Sequence, residues 1–240
     1  MEKEIKDHAV KAYKTVKDPH LKFWHKVGEI AIEVGIIVFA VTLSIWVHDV
    51  SDHNHEQKDV KSFLLGVRQD LKADLIQMRE DTDAFRGAGL TFSYITTNTP
   101  GFKLSKDSIN KYQSFLSNTT SFVGNDGRYQ GFKSSGKLGN IEDDALQNDI
   151  VELYQAIIPS ILASTDGYNQ RKDALFTFLN KNLKRTGNGT NNLLDILSTD
   201  EAINICGTLT YTGEINARYK SAIDKSKKII KEINADYDLK

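Results

Sequence analysis

Histidines and acidic residues cluster just after the most apolar stretch of the chain. If this segment is helical, His48, Asp52 and His55 share one face, because positions three or four apart are neighbours on a helix. Asp49, His53 and Glu56 share another face at the same spacing. Imidazole and carboxylate ligands at that spacing could bind zinc, and histidine titrates close to neutral pH. The alternative is a solvated polar collar, and the rest of the sequence supplies no clear further ligand. We therefore expect no metal or cofactor, with His48, Asp52 and His55 as the candidate ligands if a metal binds.

Glu29 and Glu33 form a second ionisable pair, one helical turn apart in an otherwise apolar segment. In a membrane helix such a pair suggests proton coupling, an ion path or a salt bridge to a partner helix. The alternative is that both carboxylates reach headgroup depth and do nothing more. Gly28 and Gly35 lie on nearly the same face and would permit close approach of a helix. We predict that this face, with Trp46 at its end, meets another helix of the same protein or of a partner.

No catalytic signature in the sequence is complete. Gly131–Leu138 (GFKSSGKL) imitates a phosphate-binding loop, but leucine stands where the loop needs Ser or Thr, and no apolar strand precedes it. All 6 histidines lie at or before position 55, and Cys206 is the single cysteine, so no catalytic triad can be assembled from the pattern. The net charge of -1 gives no reason to expect nucleic acid. We therefore predict a protein that is not an enzyme and binds neither nucleotide nor nucleic acid.

The segment around these residues has the properties of a transmembrane helix. Val34–Val47 carries no charge, and extension back to Trp24 gives about 33 Å at roughly 1.5 Å per residue, close to the thickness of a bilayer core. Phe23 and Trp24 at one end and Trp46 at the other would lie at the two interfaces. The alternative is a buried core helix of a soluble protein. A cleaved signal peptide fits less well, because the apolar stretch contains glutamates and no small-x-small site follows it.

The charges that flank this helix predict its orientation. Residues 1–26 carry seven lysines against four acids, whereas the other flank opens with Asp49, Asp52, Glu56 and Asp59. By the positive-inside rule the N-terminus is cytoplasmic and the bulk of the chain lies outside, which we interpret as a bacterial inner-membrane protein with a periplasmic domain. Residues 1–22 then form a basic amphipathic segment on the inner leaflet, or alternatively a solvated or partner-bound helix.

The remainder of the chain is organised by helical stripes. In residues 48–86 six apolar residues recur at steps of three and four, which predicts a stalk helix with a core-facing or coiled-coil face. They are Val60, Leu64, Val67, Leu71, Leu75 and Met78. The C-terminal segment repeats the pattern, and we expect it to pack antiparallel against the stalk helix. The residues of this second stripe are Ile215, Tyr219, Ala222, Ser226, Ile229, Ile233 and Tyr237.

Residues 87–240 are predicted to form a helical domain, so the fold class is all-α with one transmembrane helix that continues into the stalk. Glycine and proline suggest a loop over 87–104, with room for one short element, and glycine and serine suggest irregular structure over 124–139. The predicted helices are Lys106–Asn118 capped by Ser105, one from Asn140 to about Leu183 with a kink or stop at Pro159, Leu193–Leu197, and Ala202–Cys206 after a capping box at Ser198–Glu201.

Several short motifs resemble those of one protein family. They are Gly28-Glu29-Ile30, Gly35-Ile36, Trp46, Phe63-Leu64, Asp70-Leu71, Asp74-Leu75, Phe132 through Ser134-Ser135-Gly136 to Ile141, Leu146, Ile150 and Tyr154. In this order they resemble a family of uncharacterised single-pass bacterial envelope proteins, described only as a domain of unknown function. This chain departs from the family pattern at Leu43-Ser44-Ile45-Trp46, where an Asn-Asn-Trp-like ending is common. The resemblance implies an N-terminal transmembrane helix with a helical outer domain.

The sequence thus predicts a non-enzymatic inner-membrane protein that acts as an oligomeric scaffold or as an accessory subunit of a larger envelope complex. Its partners would be the lipid bilayer and either itself or other membrane subunits. The alternative is a helical domain that senses a periplasmic ligand or pH and signals through a partner protein, because the short cytoplasmic segment holds no output module. A metal-dependent enzyme is a third hypothesis and would need His48 or His53 as a ligand.

Overall fold

The computed structural model describes Val10, Tyr13 and residues 23–97, 104–185 and 190–237, apart from the side chains of residues 23–26, 29 and 112. The predicted N-terminal segment, residues 1–22, lies outside the described residues except for Val10 and Tyr13. The chain divides into two compact units, Met1–Asp59 and Val60–Lys240. Secondary structure in the described residues is helical apart from one isolated bridge between Arg185 and Asn191. The fold class is therefore all-α, as the sequence predicts.

The helices follow one another with short connections. In chain order they are α1 (Phe23–Thr96), α2 (Lys106–Ser117), α3 (Gly127–Ser134), α4 (Asp144–Glu152), α5 (Ile158–Asn182), α6 (Leu193–Leu197), α7 (Asp200–Thr208) and α8 (Gly213–Asp236). A 3-10 turn, Lys137–Asn140, precedes α4, and a π-helical turn, Leu153–Ile157, joins α4 to α5.

The first unit contains the apolar part of α1. From Ile30 onward this helix is long and apolar enough to cross a membrane, and only 6% of its most apolar window is buried. Between positions 32 and 47, every large apolar side chain except that of the half-buried Ile37 is 42–68% exposed, with Phe39 and Trp46 among them. A core helix of a soluble protein would bury such side chains. The exposure therefore separates this segment from an ordinary core helix.

The second unit is built on the two stripes. All six stalk residues are buried, none more than 7% exposed, and the stripe on α8 is buried from Ile215 to Ile233. Two contacts give the relative direction of the helices. The Tyr219 hydroxyl donates to Asp81 Oδ2 at 3.0 Å, whereas Lys61 Nζ lies 5.1 Å from the ring centroid of Tyr237. Residue numbers rise along α1 as they fall along α8, which confirms the predicted antiparallel pair.

The predicted loop after Arg86 is wrong in its first part, because α1 continues to Thr96. The two glycines that suggested a break are points of close packing. A Cβ added at Gly87 would collide with the Phe115 ring, and one at Gly89 would lie 2.6 Å from Thr212 Oγ1. Glycine is tolerated in the helix here because its missing side chain lets other elements approach the backbone.

The irregular structure predicted for residues 124–139 is also wrong, because this segment contains α3 and the 3-10 turn. Two aromatic stacks hold α3 against the second unit's core. Tyr129 stacks on Tyr154 with ring centroids 4.4 Å apart, and Phe132 stacks on Phe63 at 4.0 Å. Burial of these rings outweighs the low helix propensity of the glycine-rich segment.

Helix starts are predicted to within a few residues. Ser105 caps α2 as expected, since its side chain accepts from Ser108 N. The start predicted at Asn140 falls later, because Asp143 is the cap and accepts from Ala145 N at 2.8 Å. The capping box at Ser198 likewise shifts by one residue to Thr199, whose hydroxyl accepts from Ala202 N. Pro159 does not end the helix, because the wider π turn precedes it.

Candidate functional site

The face predicted to meet another helix lies in the first unit. Gly28 and Gly35 are exposed, with no heavy atom within 4 Å of an added Cβ, and Trp46 is 62% exposed. Glu33, by contrast, is only 5% exposed. The side chain of Glu29 lies outside the described residues. The backbone around both glycines is thus open to close approach, and the helix–helix contact itself stays a prediction.

The candidate metal ligands lie on exposed turns of α1. His48 Nε2 and Asp52 Oδ2 are 3.4 Å apart, and His55 is exposed. Among the described residues, no group of three or more His, Cys, Asp or Glu side chains is arranged to hold a metal ion. The three residues therefore form one exposed pair and a separate histidine, and not a three-ligand centre.

A cavity that the sequence did not indicate lies in the second unit, with a volume of about 170 Å³. Three stretches of chain enclose it: α1 around Phe85, the end of α2 with the residues that follow it, and the middle of α5. Its lining residues are Ala84, Phe85, Ala88, Ser114, Phe115, Asn118, Thr119, Thr120, Tyr168, Asn169 and Lys172. The walls thus combine apolar and aromatic groups with hydroxyls, amides and one ammonium, a mixture typical of small-molecule sites.

Lys172 is the one basic residue among these lining residues, and it is only 3% exposed. Its Nζ donates to the backbone carbonyl oxygen of Asn118, the C-cap residue of α2. The rings of Phe92 and Phe176 lie 6.0 and 5.9 Å from the same nitrogen. Burial lowers the pKa of Lys172 to about 8, because desolvation disfavours the ammonium form. Its described neighbours are a carbonyl dipole and two aromatic rings, and no carboxylate lines the described cavity.

Asn169, one turn before Lys172 on α5, has one satisfied and one unsatisfied end. Its Nδ2 donates to the Thr120 backbone oxygen at 3.1 Å, which fixes the orientation of the amide because a carbonyl can only accept. Its Oδ1 is buried and has no hydrogen-bond partner among the described residues. A buried acceptor without a donor is unfavourable and calls for an explanation.

The remaining polar side chain of α5 in the cavity is already engaged. The Tyr168 hydroxyl donates to the Leu209 backbone oxygen at 3.1 Å, and burial raises the pKa of Tyr168. The hydroxyl groups of Ser114 and Thr119 also line the cavity. As a set, these residues offer a cation and an unpaired acceptor, which suits binding of a small polar molecule.

One sequence signal could have pointed to Lys172. The buried residues of α5 recur in threes and fours, as in the other core helices, and Lys172 occupies one position of that stripe. The stripe consists of Ile158, Ile161, Thr165, Tyr168, Lys172, Leu175 and Phe178. A lysine between a tyrosine and a leucine on a core-facing stripe is unusual, because lysine is rarely fully buried. The contribution of Asn118–Thr120 had no comparable signal, since only the tertiary fold brings that segment to α5.

Comparison with known proteins gives no match to any family model, any curated protein or any solved structure. The resemblance to uncharacterised single-pass envelope proteins therefore stays a prediction. Two features of the described residues bear on the function: the exposed apolar helix and the cavity beside Lys172.

Proposed function

We propose that this chain is a non-enzymatic, single-pass inner-membrane protein whose helical domain acts as a scaffold or accessory subunit of a larger membrane complex. One observation carries the proposal: the apolar part of α1 leaves its side chains exposed, whereas the second unit buries a core of its own. The N-terminus would be cytoplasmic and the second unit periplasmic, in line with the charge difference between the two flanks.

The cost of leaving this segment in water supports a membrane location. Apart from the half-buried Ile37, the large apolar side chains from Ile32 to Val47 are 42–68% exposed, and each would lose roughly 1.5–3 kcal/mol relative to full burial. Even with half of that counted, the total is on the order of 10 kcal/mol, comparable to the whole stability of a domain. A bilayer removes this cost without a folded partner.

The glycine face supports an association with other helices. Gly28 and Gly35 leave an open strip of backbone, and small residues at such spacing allow two membrane helices to approach closely. An ionised glutamate such as Glu29 would be expensive in lipid, so a polar group on another helix would favour assembly. A scaffold or accessory role needs such a contact and requires no catalytic group.

Purification of the tagged protein in mild detergent, with the mass and composition of the particle measured together, tests the proposal. We expect either a homo-oligomer or a particle with a second membrane subunit. The double variant Glu29→Leu/Glu33→Leu should still insert but should crosslink less. Val38→Leu/Val41→Leu, on the opposite side of the helix, is the matched control and should crosslink like the wild type. A monomer in both detergent and membranes would contradict the scaffold proposal.

A second candidate function is favoured by the cavity beside Lys172. In this hypothesis the second unit binds a small molecule in the cavity and passes the signal to a partner protein. Its distinguishing result would be a partner with a cytoplasmic domain that co-purifies with the chain and whose association depends on the bound molecule.

A further inference from the structure

The cavity beside Lys172 has the size of a small organic molecule. Its volume of about 170 Å³ is close to the ~150 Å³ of an engineered apolar cavity that admits benzene. A ligand of roughly six to eight non-hydrogen atoms would fill it by the same measure. The cavity is lined by polar as well as apolar atoms, so a polar ligand suits it better than benzene.

The charge of the cavity lining indicates which charge the ligand carries. The Lys172 side chain is only 3% exposed. The described contacts of its Nζ are a carbonyl oxygen and two aromatic rings. Dipoles and rings stabilise a buried ammonium only in part, and a carboxylate at hydrogen-bond distance would complete its solvation. Asp166 and Asp173 on α5 are exposed and do not line the cavity. The anion would therefore come from the ligand.

The second polar group determines what else the ligand carries. Asn169 Oδ1 is a buried acceptor without a donor in the described part of the chain, and Asn169 lines the cavity three positions before Lys172 on α5. A hydroxyl or ammonium group of a ligand would satisfy it. The two requirements, an anion and a nearby donor, stand one helical turn apart on α5.

From this juxtaposition we infer that the cavity binds a small hydroxy- or amino-carboxylic acid. The carboxylate lies against Lys172, the hydroxyl or amine donates to Asn169 Oδ1, and the short carbon chain lies along Phe85 and Ala88. This site goes beyond the scaffold role, and binding there does not depend on the association of membrane helices.

A purely structural role for Lys172 is the competing explanation. Its ammonium group donates to the carbonyl of the residue that ends α2, and cations at helix C-termini are favourable without any ligand. Such a cap would account for the buried lysine, but it supplies no donor to Asn169 Oδ1.

Titration calorimetry of the full-length chain in detergent micelles tests the inference. The probes are hydroxy- and amino-carboxylates of two to five carbons, with lactate as the reference. Propanoate lacks the donor and lactamide lacks the charge, so they serve as matched controls. We expect at least one acid of the panel to bind, and propanoate and lactamide to bind about tenfold more weakly or not at all, as expected for loss of a hydrogen bond or charge. No saturable binding by any acid, or equal binding of lactamide, would overturn the inference.

Two variants assign the contacts. Lys172→Met should abolish binding of the acid, while Lys181→Met, at an exposed position of α5, should leave it unchanged. Asn169→Ala should reduce lactate binding to the level of propanoate and leave propanoate unaffected. If Lys172→Met does not fold, Lys172→Arg and Asn169→Ala still test whether the acid contacts these two residues. Unchanged lactate binding by Asn169→Ala would contradict the proposed donor contact.

Discussion

At the scale of single residues, the second unit is marked by polar groups placed in its core. Asp74 is 1% exposed and accepts from the backbone and side-chain nitrogens of Asn125, at 3.1 and 2.6 Å through Oδ1. Asp81 is 8% exposed and accepts from Tyr219. Burial raises the pKa of both carboxyl groups, against the opposing effect of these hydrogen bonds. Each carboxylate therefore relies on a specific donor from another part of the chain.

The first prediction concerns the donor for Asp81. Tyr219→Phe removes the hydroxyl and leaves Asp81 buried without this hydrogen bond, so we expect a loss of about 1–3 kcal/mol in the free energy of unfolding. Tyr211→Phe, at a side chain that is 77% exposed, is the matched control and should change stability by less than about 0.5 kcal/mol. Chemical denaturation measures both, and equal effects would refute the role of the hydrogen bond.

A second prediction concerns the pH dependence that Lys172 introduces. Its pKa is lowered to about 8 in the folded protein, whereas an unfolded lysine stays protonated to about 10.4. Between these values the unfolded state binds more protons, so stability contributed by this group rises with pH. The free energy of unfolding of the wild type relative to Lys172→Met should therefore increase from pH 8 to pH 10, by on the order of 1–2 kcal/mol. A difference that is flat or falls over this range would contradict the lowered pKa.

At the scale of elements, α1 and α8 form an antiparallel pair, and α5 brings Lys172 to the cavity. The glycines of α1 show how one element determines where another lies. The ring of Phe115 packs against the backbone of α1 at Gly87. Phe115 lies near the end of α2 and lines the cavity. The cavity therefore depends on the absence of a side chain at Gly87.

This dependence gives a third prediction, in which two glycine-to-alanine changes have opposite signs. Alanine normally stabilises a helix interior by about 0.5–1 kcal/mol relative to glycine. Gly131→Ala in α3, where no atom lies within 4 Å of the new Cβ, should follow that rule. Gly87→Ala should instead lower the melting temperature and weaken any ligand binding, because Phe115 has to move. A stabilised Gly87→Ala protein would show that the ring yields without cost.

At the scale of the whole molecule, the proposed topology follows from the charges on either side of the apolar stretch. A fourth prediction tests it in a Cys206→Ala background, which removes the native buried thiol so that labelling reports the introduced cysteine. In cells with a permeabilised outer membrane and an intact inner membrane, an impermeant thiol reagent should label Tyr211→Cys, at an exposed position of the second unit. Glu2→Cys should be labelled only after the inner membrane is broken. The reverse pattern would overturn the orientation.

The features that the sequence predicts correctly are those encoded within a few residues. The stripes on α1 and α8, the cap at Ser105 and the short helix Leu193–Leu197 all rest on neighbours three or four positions apart. The errors fall where glycine was interpreted as a break, over residues 87–96 and 127–134, because tertiary packing outweighed local propensity.

Taken alone, the sequence thus determined the all-α class, a helix long and apolar enough to cross a membrane and the faces of α1 and α8 that pair. Only the tertiary structure decided that Lys172, Asn118 and Phe85 share one cavity. The physical reason is range: helical periodicity and caps act within one or two turns, whereas residues from three distant stretches meet only after the helices have packed. The sequence signal for this site is a lysine at a core-facing position of a helical stripe.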